Sequence, residues 1–194
     1  MAKKYSSCRI RGILKIIFLD IDGVLNSELM YEIHQGISIL RKKKIKVPKE
    51  FLKFGKPAGK KHPYSEIDTY SIGLLNNLIK QARCKVVISS VWKKYPIGGH
   101  SVKDTLYKSG LLKGSIIGVT PNLGKGTVRG NEIRQWMIEN DKLIGCYSSD
   151  YRNYVILDDD SDMLLWQQSN YIHVDGWCGL TVNNTYKAKY ILNM

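Results

Sequence analysis

Short runs of apolar residues recur along the chain and have the length of buried strands. They are rich in Ile and Val, and polar or glycine-containing turns follow most of them. The predicted strands are Lys15–Leu19, Lys85–Ile88, Tyr154–Leu157 and Tyr171–Val174, with Ser115–Val119 as a weaker fifth candidate.

Apolar residues with helical spacing lie between these runs. One apolar face precedes the second predicted strand, and another precedes the strand that begins at Tyr154. The first face holds Ile67, Leu74, Leu75, Leu78 and Ile79, and the second holds Ile133, Trp136, Met137 and Ile138. Strands that alternate with helices favour a parallel sheet covered on both faces. The pattern therefore predicts a single α/β domain over residues 1–194, built on a doubly wound parallel sheet.

The connection that follows the first predicted strand is unusually long. Roughly 40 residues separate this strand from the helix near Asp68, well beyond the length of an ordinary loop. We expect the insertion, over residues 26–64, to form a cap or lid above a site at the end of the strand. The alternative is a partly disordered surface excursion.

Basic residues are concentrated in the same insertion. The whole chain has a formal net charge of +13, and residues 41–61 hold ten Lys and Arg against one acid, Glu50. This segment therefore contributes +9 of the total. A basic patch of this kind favours polyanions such as nucleic acid or phosphorylated substrates. A solvated loop that keeps the protein soluble is the alternative.

The cysteines and the apolar segments predict a soluble cytoplasmic protein. The four cysteines lie far apart and form no CxxC pair, which favours reduced thiols over a zinc site. No apolar stretch approaches the length of a membrane span, so no membrane partner is expected. Cys84 and the four tryptophans are expected in or near the core. The tryptophans are Trp92, Trp136, Trp166 and Trp177.

Two carboxylates stand at the end of the first predicted strand. Asp20 follows the apolar run directly, and Asp22 and Gly23 come next. Ligands of open α/β folds bind at the edge where parallel strands end. Two carboxylates so close repel each other unless a cation lies with them, so this motif predicts a metal site.

Polar groups also follow the other predicted elements, in an order that suits phosphoryl transfer. Ser89 follows the second strand, Arg129 opens a helix, and Asp158 and Asp159 follow the Tyr154 strand. Oxygen ligands are those that Mg²⁺ prefers, so the acids predict a magnesium site. Ser90, Lys93 and Lys125 are further candidates for substrate binding.

These residue types divide the chemistry of a phosphatase among them. Asp20 can attack phosphorus and form an aspartyl-phosphate. Asp22 can protonate the leaving oxygen and then deprotonate the hydrolytic water. Ser89 and Arg129 can stabilise the charge on the phosphoryl oxygens. Two choices stay open on spacing alone. They are the metal ligands among Asp158, Asp159, Asp160 and Asp162, and the motif cation, Arg129 or Lys125.

The order of these motifs closely resembles that of the haloacid dehalogenase (HAD) superfamily. Asp20–Val24 resembles its first motif, Ser89 its second, Arg129 its third, and Asp158 with Asp159 its fourth. The resemblance implies that Asp20 is the nucleophile and that Asp22 marks a phosphatase or phosphotransferase. It also implies that the backbone carbonyl of Asp22 completes the magnesium shell.

Longer stretches resemble one subfamily, the HAD domain of the Swiss Army Knife type of RNA-repair protein. They are residues 88–93, 117–121, 129–136, 155–160 and 179–181. The chemistry that this resemblance implies is similar in logic to that of the phosphatase half of polynucleotide kinase/phosphatases. Two features depart from the subfamily. Lys93 stands where Arg is frequent, and the basic insertion is longer than usual. A lysine would replace a bidentate phosphate contact by a point charge.

These observations predict a Mg²⁺-dependent phosphohydrolase that acts on a nucleotide or a phosphorylated nucleic-acid end. One alternative is a phosphatase of small metabolites whose basic cap attracts anionic substrates. Another, from a different class, is a non-catalytic nucleic-acid-binding module on a HAD scaffold. The intact set of acids disfavours the second alternative.

Overall fold

A computed structural model describes residues 14–47, 49, 67–94, 101–144 and 153–193. Its centre is a sheet of five parallel strands in the order β3-β2-β1-β4-β5. The strands are β1 (Ile16–Leu19), β2 (Lys85–Ile88), β3 (Ile116–Val119), β4 (Tyr154–Asp158) and β5 (Tyr171–His173). All five predicted strands are confirmed, with bounds that differ by one residue at most.

Six α-helices connect the described strands or flank them. They are α1 (Glu28–Lys42), α2 (Thr69–Ala82), α3 (Val102–Lys108), α4 (Arg129–Glu139), α5 (Asp141–Ile144) and α6 (Val182–Asn193). Short 3₁₀ helices follow β2 (Val91–Lys94) and precede β5 (Leu165–Asn170).

The sheet is buried on both faces, as the continuous apolar runs predict. Alternate residues of β1 point to opposite sides, because side chains alternate along a strand. Ile17 and Leu19 pack on the side of α2, α3 and α6, whereas Ile16 and Phe18 pack on the side of α4. All four are fully buried. The prediction of a doubly wound α/β fold is confirmed.

Phe18 shows how strongly the central strand is held. Its ring packs edge-on against Trp136 of α4 at a centroid distance of 5.5 Å and against Tyr154 of β4 at 5.9 Å. Truncating a buried Phe to Ala costs about 3–5 kcal/mol. Phe18, two residues before Asp20, is therefore fixed by the core, which limits how far Asp20 can move.

Helix α1 lies within the predicted insertion. The Ser27 hydroxyl caps its first turn by accepting from the Met30 amide, and the Glu28 and Leu29 amides donate to the carbonyls of Gly176 and Trp177. Its last turn is basic and is followed by further exposed lysines; the set is Arg41, Lys42, Lys43, Lys44 and Lys46. Residues 48 and 50–64 lie outside the described residues, so the cap remains a prediction.

Trp177 corrects one expectation about the core. Trp92 and Trp136 are buried and Trp166 is partly buried, but Trp177 is 50% exposed. It stands in a surface turn whose backbone is fixed by Asp175, which accepts from the Trp177 and Gly179 amides. Cys84 is buried, as predicted. No helix within the described ranges combines the length and apolar character that a membrane crossing requires.

Candidate active site

The backbone of the sheet brings three predicted site residues to one edge. The amide of Ser89 donates to the carbonyl of Leu19, and the amide of Asp20 donates to the carbonyl of Leu157, at 2.8 and 2.9 Å. Asp20, Ser89 and Asp158 thus stand side by side at the carboxyl ends of β1, β2 and β4. The site is located where open α/β sheets bind their ligands.

Three carboxylates converge at this edge. Asp20, Asp158 and Asp159 each offer an oxygen, and these oxygens lie within 4.8 Å of one another. Asp20 is 4% exposed and Asp158 is fully buried. Oδ1 of Asp20 and Oδ2 of Asp158 accept no hydrogen bond from any described residue. Buried polar atoms without hydrogen bonds are uncommon, and here two of them belong to the same small cluster of acids.

Burial raises the pKa values of all three acids. The pKa of Asp20 rises to about 6, although the Arg129 guanidinium and the Ser90 hydroxyl oppose the rise. The pKa of Asp158 rises to about 8, through burial first and then repulsion from Asp20. The pKa of Asp159 is also raised by burial. The positive charge beside the cluster is therefore too small to offset burial, and a bound cation would favour the ionised forms.

Gly23 explains why glycine follows the two acids of the first motif. Its φ is +66°, a region that favours glycine, and a Cβ there would lie 2.0 Å from Oδ2 of Asp159. Gly176 approaches the same oxygen, since its Cβ would lie 2.9 Å away. Bare backbone on two sides therefore makes room for the Asp159 carboxylate.

Arg129 is the positive charge that the structure brings to the acids. From the first residue of α4 its side chain reaches across the sheet edge, where Nη1 donates to the carbonyl of Ser89. Nε lies 3.4 Å from Oδ2 of Asp158, and Nη2 lies 3.8 Å from Oδ2 of Asp20. Lys125, the rival for this role, is exposed on the preceding loop.

The two serines after β2 are fully buried. The Ser89 hydroxyl has no hydrogen-bond partner among the described residues. The Ser90 hydroxyl accepts from the amide of Trp92 at 3.4 Å, which supports the turn into the 3₁₀ helix. An unpaired buried hydroxyl beside Asp20 is a donor available to a ligand.

Asp22 is oriented by two side chains. The indole Nε1 of Trp92 lies 2.9 Å from both of its carboxylate oxygens, and the Asn26 amide donates to Oδ1 at 2.8 Å. Both donors are neutral, so they fix the direction of the carboxylate without adding charge. Asp22 is half-buried, in contrast to Asp20.

Lys93 is held by protein groups beside the cluster. Its ammonium donates to Oε2 of Glu132 at 2.6 Å, to Oγ1 of Thr120 at 2.7 Å and to the carbonyl of Pro121 at 3.0 Å. An ammonium has three donors, and these bonds use all of them. The pKa of Lys93 is lowered by burial, against the opposing effect of Glu132. A role in substrate binding stays a prediction.

The remaining acids of the fourth motif lie apart from the three-carboxylate cluster. Asp160 and Asp162 are exposed. Oδ2 of Asp162 accepts from the amide of Arg129 at 2.7 Å and so caps α4. A carboxylate at a helix N-terminus is stabilising, and this one fixes the residue that reaches the cluster.

The sequence predicted Trp92 only as a core residue and assigned no role to Asn26, Thr120 or Glu132; all four orient the predicted site residues. Glu132 stands three positions after Arg129, a spacing that places both on one side of the helix. Thr120 follows β3 as Ser89 follows β2. These two positions carried a usable sequence pattern, whereas Trp92 did not.

The donor set fits a hard divalent cation. The three carboxylates have raised pKa values, and two of them keep a buried oxygen without a hydrogen bond; such oxygens are ligands that Mg²⁺ would accept. Asp20, Asp158 and Asp159 would hold it.

Comparison with protein families identifies the fold. The family model of the HAD domain in Swiss Army Knife RNA repair proteins matches residues 16–185. No curated protein and no solved structure matches the chain. HAD proteins form a superfamily of hydrolases and phosphatases that generally use Mg²⁺. Because the match runs from β1 into α6 and covers the strands that carry the acids, the chain belongs to the HAD family of Swiss Army Knife RNA repair proteins.

Proposed function

We propose that the protein is a Mg²⁺-dependent phosphomonoesterase that forms an aspartyl-phosphate on Asp20 and acts on a nucleotide or a phosphorylated nucleic-acid end. The observation that carries this proposal is the buried Asp20 carboxylate. One of its oxygens is unpaired, and it stands between two further acids and a guanidinium.

The first step is attack by an Asp20 oxygen on phosphorus. The bond between phosphorus and the leaving oxygen breaks, and Asp22 gives that oxygen its proton. Trp92 and Asn26 keep the Asp22 carboxylate in one orientation, which favours a short path for the proton. The product of this step is an acyl phosphate on Asp20.

In the second step water attacks the same phosphorus. Asp22, now ionised, takes the proton from the water, the bond between phosphorus and the Asp20 oxygen breaks, and inorganic phosphate leaves. Both aspartates return to their starting states. One residue thus serves as acid and then as base.

The phosphoryl oxygens need donors and positive charge during both steps. The unpaired Ser89 hydroxyl and the Arg129 guanidinium are next to Asp20 and supply them. Bound Mg²⁺ would shield the charge on the phosphate so that an anionic carboxylate can approach it.

Two observations favour a nucleotide or nucleic-acid substrate. The matching family is described as a domain of RNA repair proteins. The described end of α1 and the residues after it carry five exposed basic side chains, in a segment that begins a few residues after Asp22. Clustered lysines attract phosphate chains over a long range.

The chemical proposal is tested with 4-nitrophenyl phosphate. Wild-type protein should turn it over only with Mg²⁺, and Asp20→Asn should abolish turnover. The exposed neighbour Asp160→Asn serves as the control and should keep most of it. Turnover without metal, or full turnover by Asp20→Asn, would contradict the mechanism.

The substrate proposal is tested with mononucleotides and with 3′- and 5′-phosphorylated oligonucleotides at low and high salt. A preference for one oligonucleotide end that falls steeply with salt supports it. Equal rates on small sugar phosphates, unchanged when Lys42, Lys43 and Lys44 are neutralised together, would instead indicate a metabolite phosphatase.

A further inference from the structure

A groove of about 460 Å³ lies on the far side of β5 from β4. Its walls are the edge strand β5 and the exposed face of α6. Tyr171, His173, Tyr186, Lys187 and Tyr190 line it, together with two isoleucines. The volume falls in the range of clefts that hold small organic ligands.

Two tyrosine rings that line the groove are unusually exposed. Tyr186 is 72% and Tyr190 is 64% exposed, although the buried face of the same helix holds Ala188 and Leu192. The two tyrosines are four positions apart, so their side chains stand one above the other on α6. A pair of aromatic rings turned to solvent in this way offers successive stacking surfaces.

The groove is joined to the candidate active site by two hydrogen bonds. Nε2 of His173 lies 2.8 Å from the carbonyl oxygen of Asp159, and the Tyr171 hydroxyl donates to the carbonyl of Asp160 at 2.8 Å. The wall of the groove is thus tied to the loop that carries the third carboxylate. Residues 174–181 separate β5 from α6, and the end of α6 lies near the start of β1, where Lys15 donates to Asn193. The helix therefore runs back along the sheet, and the groove leads away from the edge that carries the acids.

The groove is positive along α6 and negative only at the end next to Tyr171, where burial and the acids of residues 158–162 raise the pKa of the Tyr171 hydroxyl. Its lining includes Lys187, and neither the lining residues nor any residue of α6 is acidic. Aromatic rings beside a lysine are the elements with which proteins bind single strands, because every base can stack and every nucleotide carries a negative charge.

We propose that the groove between β5 and α6 binds the bases of a single-stranded nucleic acid whose phosphorylated end lies at Asp20. This inference rests on the proposed function and extends it, since it assigns the substrate to the single-stranded class. Tyr186 and Tyr190 stack on bases, and Lys187 contacts the phosphate chain.

The main experiment compares the double variant Tyr186→Ala/Tyr190→Ala with wild-type protein in Mg²⁺. We expect KM for a short phosphorylated oligouridylate or oligothymidylate to rise at least about 30-fold, since the variant removes both stacking surfaces. Turnover of 4-nitrophenyl phosphate and of a phosphorylated abasic oligomer should not change. The double variant Tyr186→Phe/Tyr190→Phe should bind as wild type does, because it keeps both rings.

Matched controls stand on α2, which packs beside α6 but contributes no residue to the lining of the groove. Tyr70→Ala removes a tyrosine that is 58% exposed and should leave KM unchanged. Lys187→Gln should reduce the slope of log affinity against log salt by about one, whereas Lys80→Gln on α2 should not. An unchanged KM in the Tyr186/Tyr190 variant, or an equal loss in Tyr70→Ala, would overturn the groove assignment.

Binding of an oligonucleotide that lacks phosphate separates the two proposals. Its fluorescence anisotropy reports the groove even if no phosphatase activity exists, and aryl phosphate turnover reports the catalytic site even if the groove is unused. Wild-type protein that sediments as a dimer, with a monomeric Tyr186→Ala/Tyr190→Ala variant, would show a contact between copies and overturn the assignment to nucleic acid.

Discussion

Two sets of buried charges meet the first turn of α4 and differ in how fully they are neutralised. Lys93 is matched with Glu132, and all three donors of its ammonium have acceptors. Asp20 and Asp158 share one guanidinium, from Arg129, and keep buried oxygens without hydrogen-bond partners among the described residues. A buried pair with every donor used serves to hold elements together. A buried set with free acceptors costs stability and is a candidate for ligand binding.

The largest expected effect is the separation of activity from stability at Asp20. Asp20→Asn should lower the turnover of 4-nitrophenyl phosphate at least about 1,000-fold, because it removes the proposed nucleophile. The same change should preserve or raise the free energy of unfolding without Mg²⁺, since it removes one of the crowded carboxylates. Urea denaturation measures this free energy of unfolding. A clear loss of stability in Asp20→Asn would show that the acid set does not destabilise the fold and so does not differ in this respect from the Lys93–Glu132 pair.

At Glu132 we expect the opposite result, a loss of stability. Glu132→Gln leaves the Lys93 ammonium buried without its counter-charge and should cost about 3–5 kcal/mol of unfolding free energy. Glu139→Gln, at an exposed position of the same helix, should change it by less than about 0.5 kcal/mol. Replacing the pair together, as Lys93→Met/Glu132→Leu, should recover much of the loss. A Glu132→Gln protein as stable as wild type would show that the Lys93–Glu132 ion pair does not stabilise the fold.

The acid set should also make stability depend on pH in an unusual direction. A carboxyl whose folded pKa is raised binds its proton more tightly in the folded state, so stability falls as pH rises from its ordinary value of 3.8 to the folded pKa. That window ends at about pH 6 for Asp20 and about pH 8 for Asp158. Each contributes at most about 1.4 kcal/mol per pH unit.

Thermal unfolding of wild-type protein and of Asp158→Asn, between pH 5 and pH 8, tests this dependence. Without Mg²⁺ the wild type should lose more stability than the variant as pH rises. With Mg²⁺ the loss should shrink, since the cation binds the ionised carboxylates and stabilises most at high pH. Parallel curves for the two proteins would mean that Asp158 does not titrate in this range.

The smallest expected effect concerns the orientation of Asp22. Trp92→Phe removes the indole donor but keeps a buried ring. We expect kcat to fall about 10-fold, which is part of the roughly 100- to 10,000-fold that general acid–base catalysis contributes. The loss should be larger for an alkyl phosphate than for 4-nitrophenyl phosphate, because only a poor leaving group needs its proton. Trp166→Phe, on the other face of the sheet, is the control. An equal loss on both substrates would indicate a general packing defect.

The strands and the acids were predictable from the sequence, and the partners of those acids were not. Strands buried on both faces appear as continuous apolar runs, and a carboxylate that ends such a run is conspicuous. The contact between Trp92 and Asp22 joins residues 70 positions apart, and that between Lys93 and Glu132 joins residues 39 positions apart. No local periodicity encodes such pairs. Only the parallel sheet brings them together.

Exposure was similarly hard to predict for aromatic residues. Trp177 was expected near the core, yet its turn places it at the surface, and Tyr186 and Tyr190 project from a helix whose other face is buried. The hydrophobicity of an aromatic ring is the same in both places. Its position relative to the sheet decides whether it packs or faces solvent.

The position of β1 in the middle of the sheet has a consequence for how the protein folds. Ile16 pairs with Lys85 on one side and with Tyr154 on the other. Strand β1 therefore cannot form its backbone hydrogen bonds until β2 and β4, which are synthesised much later, are available. Pairings between residues so far apart in the chain make folding slow. During synthesis Asp20 therefore emerges long before the acids after β4, and the candidate site cannot form until β4 has left the ribosome.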